Sequence, residues 1–284
     1  MRWLILTADD FGLCEAVNEA VEIAHRDGIL STASLMVGGN AVADAVERAQ
    51  RLPGLRVGLH VVVVEDRPVL PPAQVSRLME DGEHLSRRLV GSGFRFFFDP
   101  VARRQLEAEI RAQFEAFAAT GLALDHVNAH NHMHLHPTVL EIILRVGSEF
   151  GLRAMRVPYE PPLIGWRVAG RGLATQLAAA AGLAPWMAVL RGRLRRRGIR
   201  SNDVVLGLGS SGAMDEATVL RLLELAPPNG VAEMYFHPAT RRAPEIDRRM
   251  PTYRHEAELA ALTSPAVRRA LERLDIRRVT FADL

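Results

Sequence analysis

A short apolar run that ends in two adjacent acids opens the chain, with the sequence MRWLILTADDFG at residues 1–12. The aliphatic run predicts a buried β-strand, and the apolar spacing over residues 14–27 predicts a helix directly after it. Two neighbouring carboxylates repel each other when both are ionised, so a buried place at a strand end requires a cation or a proton. Asp9 and Asp10 are therefore candidate site residues. The competing interpretation is that one of them caps the helix.

Further units of strand and helix follow the first one. The pattern predicts strands at 30–37, 55–64, 122–127, 154–157, 203–208, 231–236 and 278–281, and helices at 41–51, 101–120, 138–150, 215–225, 254–263 and 265–273. Strands that alternate with helical crossovers are typical of a parallel sheet. Seven or eight such strands predict one α/β domain over residues 1–284, a divergent and irregular TIM-like (β/α) barrel.

Two excursions interrupt the repeats, at about 65–100 and 160–200. The first is rich in proline and glycine, which predicts a long loop. Its phenylalanines at 94–98 form either a lipid-facing wall or ordinary core or oligomer packing. The second joins an alanine- and leucine-rich stretch to an arginine run, which predicts a surface helix with a solvated basic face. The alternative for 165–200 is peripheral membrane contact, with arginines on anionic headgroups.

The composition is that of an ordinary globular protein. Hydrophobic residues make up 48% of the 284 residues and charged residues 24%, which argues against a disordered chain. All 35 basic residues are arginine and the net charge is +2, so we infer no nucleic-acid partner. The single cysteine, Cys14, excludes an internal disulfide and a cysteine-based zinc site. With no apolar run of about 18 residues, we expect a cytoplasmic protein.

Four polar clusters lie at or near the ends of predicted strands. They are the Asp9–Asp10 pair, His60, the histidine-rich tract around His130, and His237. Because active sites of (β/α) barrels lie at the carboxyl ends of the strands, we expect these side chains to converge on one face. A lone buried histidine such as His60 is usually just a hydrogen-bonded core residue. Its position among the acids and the other histidines favours a site instead.

The tract DHVNAHNHMHLHP at residues 125–137 is the strongest metal-binding signal in the chain. Its alternative interpretation is a solvated loop that scavenges metal without function. One Asp with two or three His suits Zn²⁺, Co²⁺, Fe²⁺, Ni²⁺ or Mn²⁺ more readily than Ca²⁺ or Mg²⁺. Asp10 would bind the ion and offset part of its charge, while Asp9 stays free to take a proton from water. We therefore expect one divalent ion, zinc first, with Mg, Co, Ni or Mn as alternatives.

Taken together, ADDFG at 8–12, GLH at 58–60, HNHMH at 130–134 and HP at 237–238 resemble the YdjC-like carbohydrate deacetylases. The resemblance covers nearly the whole chain, and the order and spacing of the motifs make it specific. The sequence EMYFHPA at 233–239 and the chain length are most similar to the hopanoid-biosynthesis-associated (HpnK-like) branch of that family.

The resemblance implies a barrel-like deacetylase domain that removes the acetyl group from an N-acetylated amino sugar with one divalent metal. It places Asp10, His60 and His130 as metal ligands and Asp9 as the general base. His237 becomes the general acid or an oxyanion-side group that protonates the leaving amine.

Some positions depart from the family pattern. Asn128 and Ala129 stand where the family often has Asp-Ser, Asn131 replaces a common His, and Ala239 replaces a common Gly. None of these removes a proposed ligand, but the groups that orient the ligands can differ. Beside a predicted strand end, Arg156 is expected to bind the sugar, to hold Asp9 or to form a structural salt bridge.

For the hopanoid branch, the implied substrate is an N-acetylglucosaminyl group on a polycyclic lipid polyol of the bacteriohopanetetrol type. The products would be acetate and free glucosamine on the lipid. Alternatives are a deacetylase of soluble chito-oligosaccharides and a non-catalytic His-rich metal-binding protein. The absence of a glycine-rich phosphate loop argues against a phosphoester hydrolase. Expected partners are the acetylated sugar, a membrane surface through 165–200, and a second copy in a homodimer.

Overall fold

Near-continuous apolar runs form the strands, as expected for a parallel sheet covered on both faces. The structure is a computed structural model that describes residues 2–170 and 172–284. Its strands are β1 (Arg2–Phe11), β2 (Thr32–Leu35), β3 (Arg56–Val61), β4 (Leu124–Ala129), β5 (Val204–Val205), β6 (Gly230–Phe236) and β7 (Ile276–Val279). They form one parallel sheet in the order β4-β3-β2-β1-β6-β5, and β7 pairs with the first half of β1. The predicted α/β class is confirmed.

Helices surround this sheet and connect its strands. They are α1 (Glu15–Arg26), α2 (Val42–Arg51), α3 (Leu89–Phe98), α4 (Pro100–Ala119), α5 (Pro137–Glu149), α6 (Pro162–Ala169), α7 (Leu173–Arg196), α8 (Glu216–Leu225), α9 (Pro244–Arg249), α10 (His255–Thr263) and α11 (Pro265–Arg273). The helix predicted over 101–120 corresponds to α4, whose apolar stripe is buried as its spacing indicated. Its N-terminus is capped by Asp99, which accepts from Val101 N and Ala102 N.

The predicted strand at 154–157 is replaced by isolated bridges. Val127 pairs with Met155, and Ala154 pairs with Arg200, both in parallel. Val127 N donates to Ala154 O at 3.0 Å, and Met155 N donates to Arg200 O at 2.9 Å. These bonds link β4 through residues 154–155 to Arg200, just before β5, so the sheet curls from β4 towards β5. The result is the irregular barrel-like shape that the sequence predicted.

Besides the strand at 154–157, two predicted elements differ from the structure and one short helix was not predicted. β1 continues through both acids to Phe11, with Asp10 at φ 62° and a shift in register against β2. The excursion at 65–100 is not a loop throughout, because α3 forms at its end, where Phe96 packs into the core. The short helix α9 was not predicted, since six residues carry too little periodicity.

The arginine-rich excursion forms α6 and α7, and α7 lies largely exposed. Among the described residues, α7 is the one helix with the length and apolar composition of a membrane-crossing segment. Its most apolar 18-residue stretch has a mean hydropathy of 1.5, and 11% of that stretch is buried inside the protein. Its C-terminal half is attached to the barrel, because Met187, Leu190 and Leu194 are buried. Trp186 Nε1 also donates to Leu135 O at 2.9 Å. This packing holds the second half of α7 on the protein surface.

Candidate functional site

The carboxyl ends of four strands bring the predicted residues together. β1 carries Asp9 and Asp10 just before its last residue, β3 carries His60, and His130 and His237 directly follow β4 and β6. A cleft of about 370 Å³ is lined by Asp9, His60, His130 and His237 among others. Asp10 lies buried beside them, with 1% of its surface exposed. The predicted convergence on one face of the sheet is therefore present.

Asp10, His60 and His130 form a compact group. Asp10 Oδ1 lies 3.3 Å from His60 Nε2 and 3.5 Å from His130 Nδ1, and the two ring nitrogens are 3.4 Å apart. Neither Asp10 oxygen has a hydrogen bond of good geometry. A buried carboxylate that lacks such bonds and faces two imidazole nitrogens fits a divalent ion with nitrogen and oxygen ligands. Of the described residues, these three form the one group that meets the geometry of a metal site.

Asn128 orients His60 towards this group. His60 Nδ1 lies 2.7 Å from Asn128 Oδ1, and the Asn128 amide nitrogen donates to Asp9 Oδ1 at 3.0 Å and Ser34 Oγ at 2.8 Å. These two acceptors fix the orientation of the amide, so its oxygen accepts from His60 Nδ1–H. The lone pair of His60 Nε2 therefore faces Asp10, as a metal ligand requires.

Glu65 plays the equivalent part for His130. Its Oε2 lies 3.2 Å from His130 Nε2, which leaves Nδ1 directed to Asp10. Burial disfavours the charged ring, but the Asp10 and Glu65 carboxylates raise the pKa of His130 to about 10. Against the same penalty of burial, His130 and His60 hold the pKa of Asp10 well below its usual value. The carboxylates thus require positive charge here, which a divalent ion or an imidazolium supplies.

Asp9 has a different environment, dominated by a fixed cation. Arg156 donates to Asp9 Oδ2 at 2.6 Å and Oδ1 at 3.0 Å, and to Glu233 Oε1 at 3.0 and 2.8 Å. Burial opposes ionisation, but the guanidinium holds the pKa of Asp9 below its usual value. Arg156 is 0% exposed, and the Tyr235 ring lies 4.7 Å from its guanidinium carbon. The predicted sugar-binding role of Arg156 does not fit this buried position, whereas the alternative of holding Asp9 does.

His237 lies between two tyrosine rings in the cleft. Its ring centroid is 5.6 Å from that of Tyr235 and 5.1 Å from that of Tyr253, both in edge-on geometry. Burial lowers the pKa of His237 to about 4, although the Asp10 and Asp9 carboxylates act in the opposite direction. The imidazole is therefore neutral near pH 7. Its backbone N–H donates to the buried Glu258 at 2.6 Å, which fixes the start of the loop after β6.

The other histidines of the tract have separate places. His132 lines the cleft on a left-handed backbone (φ 53°), and its Nε2 is 3.4 Å from the Tyr235 hydroxyl. His134 is fully buried, and burial lowers its pKa to about 3. His136 caps α5 by accepting from Thr138 N at 3.2 Å. The histidines of the tract therefore supply one member of the metal-type group, His130, and one further cleft histidine, His132.

Sequence reasoning missed the residues that orient the site. Asn128 stands out in the sequence only as a departure from the family pattern, although its place near the end of β4, two residues before His130, could have indicated a contact with the site. Glu233 lies two residues before Tyr235 in β6 and four before His237, so the alternation of side chains along a strand could have indicated it in the same way. Glu65 had no signal, because it lies in an excursion whose path the sequence does not determine.

A family model described as YdjC-like protein matches residues 3–273. The chain belongs to the YdjC-like family. This YdjC-like protein is 30% identical over 284 residues to a carbohydrate deacetylase of Brevibacillus brevis, with 99% of each chain covered. It is 34% identical over 145 residues to a carbohydrate deacetylase of Oceanobacillus iheyensis, an alignment that covers 51% of this chain and 60% of that protein. The resemblance predicted from the motifs is thus confirmed at the level of the family.

Two solved structures share the fold of this YdjC-like protein. The first is an Enterococcus faecalis V583 protein whose description proposes cellobiose-phosphate cleavage, with a TM-score of 0.76, 22% identity and 99% and 98% of the two chains covered. The second is an uncharacterised protein of Agrobacterium tumefaciens C58, with a TM-score of 0.53, 15% identity and 99% and 88% covered. At these identities the likeness shows the fold alone.

Proposed function

We propose that this YdjC-like protein is a metal-dependent hydrolase that removes the N-acetyl group from an N-acetylated amino sugar. The observation that carries the proposal is the buried Asp10 carboxylate between His60 and His130, next to Asp9 in the same cleft. Membership of the family supports it. So does the carbohydrate deacetylase of Brevibacillus brevis, which aligns over the full length.

Asp10, His60 and His130 would hold one divalent ion. Their nitrogen and oxygen donors suit zinc, with Co, Ni, Mn or Mg as alternatives. When bound, such an ion supplies Lewis acidity towards the amide carbonyl and the attacking water. Asn128 and Glu65 would keep the two rings aimed at it through their second nitrogens.

Asp9 is the proposed base. Arg156 keeps Asp9 ionised and fixes its orientation in the cleft, so a carboxylate is available to take the proton of the attacking water. The water oxygen bonds to the carbonyl carbon, the C–N bond breaks, and acetate leaves. The leaving amine takes up the proton that Asp9 removed from the water, and His237, whose neutral ring lines the same cleft, would relay it by accepting a proton at one ring nitrogen and donating one to the amine. The products are acetate and the free amino sugar.

The finer proposal is that the sugar is N-acetylglucosamine on a hopanoid lipid of the bacteriohopanetetrol type. Support comes from the sequence EMYFHPA at 233–239 and from the exposed apolar surface of α7. We infer a cytoplasmic enzyme, one domain over 1–284, that meets this lipid at the inner face of the membrane through 165–200.

Acetate release from the two substrate classes tests both levels of the proposal. The protein is assayed with N-acetylglucosaminyl hopanoid polyol and with N-acetylated chito-oligosaccharides, each with and without a chelator. Release from the lipid that stops with chelator and returns with metal supports both levels. Release from the soluble sugar alone contradicts the hopanoid substrate and leaves the deacetylase. No release from either substrate, with several weakly bound ions per chain, would favour the metal-binding alternative.

A further inference from the structure

Exposed large apolar side chains are concentrated in two segments. Apart from Ile23, those of the described residues are Leu89, Val90, Phe94, Phe97, Phe98 and Val101 in and after α3, and Leu163, Trp166, Leu177, Leu183 and Val189 in α6 and α7. Scattered exposed apolar residues are ordinary, but such concentrations mark interaction sites. We propose that these eleven side chains form one lipid-docking surface, which binds an anionic bilayer beside the cleft.

The α3 part of the lipid-docking surface is a continuous patch. Phe98 is 77% exposed, Val90 75% and Phe94 62%. The Phe94 and Phe98 rings stack at 6.3 Å between centroids, and Phe97 lies 6.0 Å from Phe98. Water therefore faces a group of aromatic rings that the core does not use. Aromatic and aliphatic side chains of this kind enter the interfacial zone of a bilayer.

Both parts of the lipid-docking surface adjoin residues 135–136, at the end of the histidine-rich tract. The Phe97 ring lies 4.2 Å from the His136 ring, and Trp186 of α7 donates to Leu135 O at 2.9 Å. Leu89, at the start of α3, also lines the cleft. On the other side, α6 packs against the turn at 208–210, whose Leu208 is a cleft residue. The surface therefore borders the cleft through α3 and through α6.

The charge beside these helices favours an anionic surface. Residues 161–200 contain arginines but no aspartate or glutamate, and the same holds for 85–98. Arg193 and Arg197 pair with Glu141 of α5, at 3.3 and 3.1 Å. Arg195 and Arg196 are exposed. Basic residues next to apolar ones attract a helix to anionic headgroups.

A second copy of the chain fits this surface less well than a bilayer does. A twofold dimer places the same patch of both chains in contact. The arginines of 191–200 would then face those of the partner, and like charges across an interface disfavour association. An anionic bilayer removes this repulsion and covers the apolar side chains.

The proposal rests on the proposed function only for the reason why the protein would bind a bilayer. Lipid binding itself is measured without enzymatic turnover. The full chain is sedimented with vesicles of phosphatidylcholine alone or mixed with phosphatidylglycerol. We expect binding to the mixed vesicles that weakens with salt. Phe94→Ser with Phe98→Ser should weaken it at least about tenfold, through lost apolar burial. Arg195→Gln with Arg196→Gln should weaken it at least about tenfold on mixed vesicles.

Matched controls separate lipid docking from loss of folding. Ile23→Ser removes an exposed apolar side chain of α1, and Arg277→Gln with Arg278→Gln removes two arginines of β7; both should bind vesicles like the wild type. Unchanged thermal unfolding shows that each variant is folded. No wild-type binding to mixed vesicles overturns the proposal. So does a dimer that Phe94→Ser with Phe98→Ser converts to a monomer without any vesicle binding.

Discussion

The Asp9 and Asp10 carboxylates are neighbours in β1 with opposite surroundings. Asp9 belongs to a fixed ion-pair network, in which Arg156 bonds it and Glu233. Asp10 has no arginine partner among the described residues, and the ring nitrogens of His60 and His130 face it. Burial penalises the two charges similarly, and the protein compensates them differently. A permanent cation suits a group that must stay ionised in place, and imidazole nitrogens, whose proton a metal ion can replace, suit one that binds an exchangeable ion.

Glu258 is a third buried acid and shows a third solution. It accepts backbone N–H groups from His237 and Met214 at 2.6 and 3.1 Å, and none of the described arginines bonds it. Burial raises the pKa of Glu258 to about 7, despite these two hydrogen bonds. This acid therefore keeps its proton at mildly acidic pH. One fold thus holds acids stabilised by an arginine, by histidine or metal, and by a proton.

The largest effect is expected from removing the fixed cation. Arg156→Met leaves Asp9 and Glu233 buried together without a counter-charge. Breaking a buried pair in this way lowers the free energy of unfolding by about 3–5 kcal/mol. Urea unfolding measures it, with the exposed Arg153→Met as control. A loss within about 1 kcal/mol of that control would mean that the network does not hold Asp9.

A smaller effect is expected at the group that orients His130. Glu65→Gln replaces the acceptor of His130 Nε2 with a weaker one, so zinc affinity should fall about 10- to 100-fold. Titration calorimetry measures this fall, and Glu83→Gln, an exposed acid of the same excursion, is the control. Affinity equal to that of the control would contradict the orienting role of Glu65.

A further effect concerns pH. Since the pKa of Glu258 is about 7 in the folded chain and ordinarily 4.5, the folded state binds more protons between these values. Its contribution to the free energy of unfolding therefore decreases as pH rises from about 4.5 to 7, by at most about 1.4 kcal/mol per pH unit. Glu258→Gln should remove this decrease, and the exposed Glu256→Gln should retain it. Equal pH profiles of the two variants would contradict a raised pKa.

The sequence predicted the alternation of strands and helices because its signals are local. The apolar stripe of α4 and the glycine that stops α1 act within a few residues. The end of β1 was misplaced because Asp10 adopts a left-handed backbone that no local pattern indicates. α3 was missed because Gly91 and Gly93 suggested a loop. Its helix instead depends on tertiary packing of Phe96.

For the site, the sequence supplied the groups that carry chemistry but not those that orient them. Asp9, Asp10, His60, His130 and His237 lie at or directly after the ends of strands, and parallel strands bring their ends together. Whether Arg156 faced the sugar or Asp9 depended on tertiary contacts. Those contacts exist only when 156 and 233 lie on adjoining parts of the curled sheet. The roles of the five site residues remain predictions for mutagenesis.

Metal affinity of Asp9→Asn and Asp10→Asn tests the division of labour between the two acids most directly. Calorimetry with zinc should find one ion per wild-type chain. Asp10→Asn should bind it more than about 100-fold more weakly, because a ligand outweighs an orienting group. Asp9→Asn should keep wild-type affinity while turnover falls about 10²- to 10⁴-fold. Wild-type zinc affinity in Asp10→Asn, or wild-type turnover in Asp9→Asn, would contradict this division.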